Sequence, residues 1–255
     1  MDKKLYIQAY TVRDMLNTEE ECDSTFKALA SYGFAGVQTA GVKVPFENYS
    51  AALKRAGLSC IGTHISIDTL LNGDEAERVH KLLGTTNAGI GSLPKIFAPD
   101  FKAEDLYAGI EQIQKAIEVL KGKGLKFTYH HHAKELSKIG NETILEILAR
   151  ELDPKHSSFV LDTYWLNHGG ADVTEWIKKF AGRVDILHLK DKAVPLDSND
   201  GQITELGAGN LNFKRIIETA EDSGVQYLCY EQDCNFKVNQ LESAKQSAEY
   251  FYSIV

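Results

Sequence analysis

Histidine, aspartate, glutamate and lysine recur in this 255-residue chain directly after short apolar runs. His64 closes one run, and a second ends in the triplet His130-His131-His132. A third ends at Asp162, within Phe159-Val160-Leu161-Asp162-Thr163-Tyr164-Trp165. A fourth ends in His188-Leu189-Lys190-Asp191 and a fifth at Glu231, within Cys229-Tyr230-Glu231-Gln232-Asp233. Each has an ordinary structural explanation taken alone. Asp162 could cap the helix that follows it, His64 could be a satisfied core histidine, Glu231 could pair with a lysine at the rim, and Lys190 could pair with Asp191. Brought together, they would crowd charges of one sign, which a divalent cation compensates. Mixed carboxylate and imidazole donors suit Mn, Mg, Co, Fe or Zn.

Bringing such runs together requires elements that all end at one place. Gly33, Gly57, Gly84, Gly124, Gly182 and Gly224 each follow a helix-like stretch and precede a strand-like one, since glycine past a helix end takes the left-handed conformation without a Cβ penalty. Asp153-Pro154 marks a seventh junction, where proline stops the helix. Strands are expected at Leu5–Tyr10, Gly36–Thr39, Cys60–His64, Asn87–Gly91, Lys126–His130, Ser158–Asp162, Asp185–Leu189 and Tyr227–Glu231. Helices are expected near Thr18–Ser31, Asn48–Ala56, Asp74–Leu83, Ala103–Lys121, Glu142–Leu152, Val173–Phe180, Asn212–Asp222 and Gln240–Ser253. Ile110, Ile113, Ile117 and Leu120 carry the helical spacing most clearly. Strands alternating with helices form a parallel sheet. An open doubly wound sheet would carry a Gly-rich loop after its first strand, and Tyr10-Thr11-Val12-Arg13-Asp14 has no glycine. The expected fold is therefore a single-domain (β/α)8 TIM barrel, which needs about 250 residues and does its chemistry at the C-terminal strand ends. The fourth unit reads weakly, because Thr86–Ser92 is rich in glycine.

The net charge of −8 argues against a nucleic-acid partner. No window approaches the ~20 apolar residues of a membrane span, and Met1–Gln8 has no signal-peptide pattern. The cysteines Cys22, Cys60, Cys229 and Cys234 form no CxxC pair. A cytoplasmic location is expected, with a homo-oligomer left open.

With these motifs the chain resembles the xylose isomerase-like superfamily, in particular the sugar phosphate isomerase/epimerase group. The resemblance runs nearly end to end, from Gln8-Ala9-Tyr10-Thr11-Val12-Arg13-Asp14 through Tyr129-His130-His131-His132-Ala133-Lys134-Glu135 to Leu206-Gly207-Ala208-Gly209 and Tyr230-Glu231-Gln232-Asp233. It implies one divalent metal held by Glu, Asp, His and Glu from successive strands, and Asp162, His188 and Glu231 match three of these. Two departures stand out. The fifth strand ends in His130 where tagatose epimerase-like members carry glutamate, with Glu135 as the other candidate ligand or a substrate contact. Ala208 stands where relatives often place an acidic residue.

The expected chemistry is removal of a proton next to a carbonyl, with the ion as Lewis acid. Glu231 would be ligand and base, His130 or His132 would serve the opposite face, and Lys190 would stabilise oxyanion charge. His64 and Glu135 are expected to contact substrate, and Trp165 to form a wall for a sugar ring. The same enolate permits elimination, so a lyase or hydratase on a 3-keto sugar or inosose competes with an isomerase or epimerase. A barrel that only binds sugar is a third class. The superfamily's DNA endonucleases need a histidine-rich three-metal cluster, which eight histidines and the acidic charge disfavour. The polar loop Ala193–Asn210 reads equally as a substrate lid or as plain surface, and its Gly-x-Gly is a weak phosphate signal.

Overall fold

Gly57 and Gly84 stand just past helix ends with φ of 73° and 71°. After each, the chain turns into the next strand. The computed structural model describes residues 3–255. Eight parallel strands close into one barrel: β1 Leu5–Gln8, β2 Gly36–Ala40, β3 Ser59–His64, β4 Asn87–Ile90, β5 Lys126–His130, β6 Ser157–Asp162, β7 Val184–Leu189 and β8 Tyr227–Tyr230. Their order around the barrel is the chain order, and β8 pairs with β1. Ile61, Val160, Ile186 and Cys229 form a small apolar cluster of their own. The larger core lies between strands and helices and includes Phe26, Ile113, Leu148, Phe213 and Phe251.

The weak fourth strand has a packing reason. A Cβ on Gly89 would lie 2.2 Å from Thr128 Oγ1 and 2.7 Å from the Thr63 carbonyl. Its neighbours fill the space that a side chain would need, so this strand contributes little apolar pattern of its own.

Several expected boundaries move for local reasons. The first strand ends at Gln8, whose side chain accepts from Tyr10 N at 3.2 Å and turns the chain into the 3-10 segment Ala9–Met15. The eighth strand ends at Tyr230, one residue before Glu231. Glu142 and Thr143 pair antiparallel with Lys138 and Ile139, so the helix there starts at Ile144. Thr143 and Glu146 cap it reciprocally. Two short helices, Ile67–Leu71 and Thr163–His168, add to the expected set. Asp162 is the N-cap of the second, accepting from Trp165 N at 2.9 Å.

Strand pairing decides what meets at the barrel mouth. Asp162 stands opposite His188 in the β6–β7 register, and Cys229 stands opposite His188 in the β7–β8 register. Glu231 therefore emerges beside His188.

A candidate metal centre at the barrel mouth

His130, Asp162, His188 and Glu231 are all buried, and one donor atom from each lies within 4.8 Å of all the others. His188 Nδ1 is 2.9 Å from Glu231 Oε2 and 3.7 Å from Asp162 Oδ2, and His130 Nε2 is 3.7 Å from Asp162 Oδ2. Such a cluster could hold a metal ion. Glu135 stands outside it. It is buried, with one oxygen accepting from Tyr129 Oη at 2.7 Å and the other from His132 N at 2.9 Å.

The remaining hydrogen bonds select the donor atoms. His130 Nδ1 donates to the Gly91 carbonyl at 3.0 Å, which leaves Nε2 with its lone pair. His188 Nε2 donates to Gln38 Oε1 at 2.5 Å, which leaves Nδ1. Asp162 Oδ1 takes the Trp165 amide, which leaves Oδ2. His130 Nε2, Asp162 Oδ2, His188 Nδ1 and Glu231 Oε2 are buried without a well-formed hydrogen bond. Buried polar atoms are rarely left so, and a histidine that ligates metal normally donates its other ring nitrogen to a fixed acceptor. The residues present fit a divalent ion.

Lys190 is the counter-charge. Its buried ammonium lies 2.7 Å from Glu231 Oε2, 3.2 Å from Asp162 Oδ2 and 3.0 Å from Asp233 Oδ2. Burial alone would raise the Asp162 and Glu231 carboxyls, but the Lys190 charge beside them holds both well below the usual carboxylate range. The pairing of Lys190 with Asp191 does not form. Asp191 instead accepts from the backbone amides of Lys192, Gly207, Gly209 and Leu211 at 2.7–3.2 Å. The Gly-x-Gly amides are thereby spent inside the loop, and a Cβ on Gly209 would lie 2.4 Å from Asp191 Oδ1.

A cavity of about 500 Å3 reaches two of the four donor residues, His130 and Glu231. His64, His130, His132, Lys190 and Glu231 line it, as do Tyr10, Phe97 and Asp233. Trp165 lies behind His132, with ring centroids 5.1 Å apart, and Lys190 Nζ stands 5.4 Å from its ring. His132 Nδ1 and Trp165 Nε1 are both buried without a hydrogen-bond partner.

Some supporting residues carry only a faint sequence signal. Gln8 and Gln38 end or nearly end the apolar strands β1 and β2, and both are fully buried. Gln38 Nε2 is 2.9 Å from His64 Nε2, so one amide links His64 to His188. His131, the triplet member without an expected role, accepts from the Asp162 backbone N–H at 3.0 Å through Nε2. Its Nδ1 stands 3.0 Å from the His132 carbonyl. That geometry fixes the tautomer, with the proton on Nδ1. Burial is the main cause that lowers its pKa to about 4, so the ring stays neutral near pH 7.

Replacing the amide that orients His188 should weaken metal binding. Gln38→Leu removes the acceptor for His188 Nε2–H, and loss of such an outer partner typically costs 10–100-fold in metal affinity. Competitive titration against a fluorescent chelator reads the change. Unchanged affinity would mean that Gln38 does not orient His188.

A family model described as xylose isomerase-like TIM barrel matches residues 26–254. Inosose dehydratase of Clostridium perfringens is 28% identical over 155 residues, which cover 55% of this chain and 52% of that protein. The chain thus spans about half the length of the curated relatives it matches. A sugar phosphate isomerase/epimerase from Parabacteroides distasonis superposes with a TM-score of 0.79 at 22% identity, covering 98% of this chain and 93% of its own. An IolI protein solved with a zinc atom superposes with a TM-score of 0.73 at 11% identity, covering 99% and 98% of the two chains. At these identities the two structures speak for the shared fold. Among the described residues no helix is long and apolar enough to cross a membrane.

Proposed function

The chain belongs to the xylose isomerase-like TIM-barrel family, and from that premise we propose that it moves a proton at the carbon next to the carbonyl of a keto sugar or cyclitol. One divalent ion would be held by His130 Nε2, Asp162 Oδ2, His188 Nδ1 and Glu231 Oε2. The observation that carries this reading is that one donor atom from each of these four buried residues lies within 4.8 Å of the others, beneath a cavity that His130 and Glu231 line. When bound, the ion supplies Lewis acidity to the carbonyl oxygen and makes the adjacent C–H more acidic.

The chain's own groups do the rest. Glu231 takes the proton, and Lys190 Nζ, 2.7 Å from it, stabilises negative charge as it forms on the substrate oxygen. His64 and His132 hold substrate hydroxyls from the other side of the cavity.

Elimination fits this arrangement better than epimerisation. Inverting a centre takes one acid/base group on each face. Here the carboxylates that line the cavity, Glu231 and Asp233, both follow β8. His130, at the end of β5, already uses Nδ1 on Gly91 and offers Nε2 to the metal site. With proton-transfer groups on one wall, Glu231 removes the α-proton and the Glu231–Lys190–Asp233 group protonates the departing β-hydroxyl. The C–H bond breaks, the C–O bond breaks, water leaves and an enone remains. The dehydratase name of the curated relatives points the same way. The epimerase reading keeps one support, His132, which lines the cavity from the β5 side.

The test uses the metal-loaded protein in deuterated water with 3-keto-glucose, inosose and 2-ketohexoses. The expected result is an ultraviolet-absorbing enone from a substrate with a β-hydroxyl. A recovered epimer carrying deuterium would select the epimerase reading instead. Neither an enone nor exchange at any α-carbon would sink the proposal.

A further inference from the structure

The cavity has two chemically different halves. The four metal-ligand candidates come from β5, β6, β7 and the end of β8. The loops after β1 and β4, the strands that flank this half on either side, each set an aromatic ring on the cavity wall. Tyr10 is 42% exposed and Phe97 61% exposed, and both line the cavity. Tyr10 is held in place: the Arg13 guanidinium lies 4.2 Å from its ring centre, donates to the Tyr10 carbonyl at 2.9 Å and donates to the Asp233 carbonyl at 3.0 Å. Phe97 packs its edge against His132, with centroids 4.9 Å apart at 86°. A volume of about 500 Å3 lies in the range that holds drug-sized ligands, roughly 300–1,000 Å3. A single sugar ring at the metal half does not fill that volume.

The same cavity is poorly suited to a phosphate. Lys190 is its one lysine or arginine among the described lining residues, and its ammonium already meets oxygens of Asp162, Glu231 and Asp233. The amides of Gly207 and Gly209, the nearest thing to a phosphate loop, bind Asp191. A dianion would enter a site lined by two carboxylates, Glu231 and Asp233.

We propose that the substrate is an uncharged glycoside, with its keto-sugar ring at the metal half and its second ring, sugar or aryl, packed against the cavity's aromatic wall at Tyr10 or Phe97. This rests on the enolate reading for the reacting ring, but the aromatic subsite is a separate claim. Aromatic side chains bind flat apolar ring faces through dispersion and desolvation, and a well-formed contact contributes about a tenfold factor in affinity.

Binding and turnover are read separately. Calorimetry on the metal-loaded protein compares methyl, phenyl and glucosyl glucosides, none of which carries a keto group to react. The phenyl or glucosyl compound should bind roughly tenfold more tightly than the methyl compound. In Tyr10→Ala, Phe97→Ala and the double variant that ratio should fall toward one. A preference for phenyl alone identifies an aryl group, and for glucosyl alone a second sugar. Equal binding of all three by the wild type overturns the inference, as does a ratio that survives the double variant. So does tighter binding of glucose 6-phosphate than of glucose. In the corresponding 3-keto glycosides the oxygen β to the carbonyl is the glycosidic one. The C2–H and C1–O bonds therefore break, the second ring leaves as an alcohol or phenol in place of water, and an enone remains. Turnover of these compounds tests the reacting half. Tight glycoside binding without an enone or α-carbon exchange would overturn the proposed reaction and leave the subsite standing.

Discussion

Glu231→Gln should lower turnover by about 100- to 10,000-fold, the usual contribution of one general base, with a much smaller change in substrate binding. Glutamine keeps the shape of the side chain and an oxygen beside the metal site, but it cannot accept the proton. The Lys190 ammonium would still have Asp162 and Asp233 at 3.2 and 3.0 Å, so the variant should fold. It also loses a ligand charge, so metal occupancy must be measured in the same sample. A loss shared by kcat and kcat/KM marks an interaction made in the transition state. A metal-replete Glu231→Gln protein that works at the wild-type rate would place the base elsewhere, with His132 the next candidate.

Asp162→Asn should abolish metal binding while leaving the fold intact. The two carboxylate oxygens have separate tasks: Oδ1 caps the helix Thr163–His168 and Oδ2 faces the cluster. Asparagine keeps the cap acceptor and puts an N–H2 donor where the metal needs a lone pair. Asp162→Ala removes both and should cost about a further 1 kcal/mol for the lost cap. In thermal unfolding, an ion at 100 times its Kd stabilises a protein by about 2.7 kcal/mol. Wild type should show an increment of that kind on adding divalent metal, and both variants should lose it. Asp162→Asn retaining one ion per chain at wild-type affinity would refute the ligand assignment.

The two variants test the part of the site that was readable before any coordinates. His130, Asp162, His188 and Glu231 were legible because apolar strands ending in ligand-type residues are visible in one dimension, and a parallel barrel sends all such ends to one mouth. The choice between His130 and Glu135 was not legible. They lie five positions apart, and either could have faced inward. Packing puts His130 and not Glu135 in the candidate cluster: Glu135 is held by Tyr129 and His132, and His130 is aimed by the Gly91 carbonyl.

What the sequence determined by itself is the alternation of helix and strand, the glycine stops that space the repeats, and the kinds of side chain at each strand end. Those features rest on local preferences and on period, which one chain segment carries alone. The tertiary structure decided which atom of each candidate ligand faces the cluster. His188 Nδ1 is available because Gln38, 150 positions away, takes the proton on Nε2. It decided that Lys190 faces Asp162, Glu231 and Asp233 and that Asp191 is spent on the Gly207–Gly209 loop. It also set Tyr10 and Phe97 on the wall of the same cavity. These pairings depend on strand register and on closure of β8 against β1. Register is a property of the whole sheet, so no segment of the sequence records it.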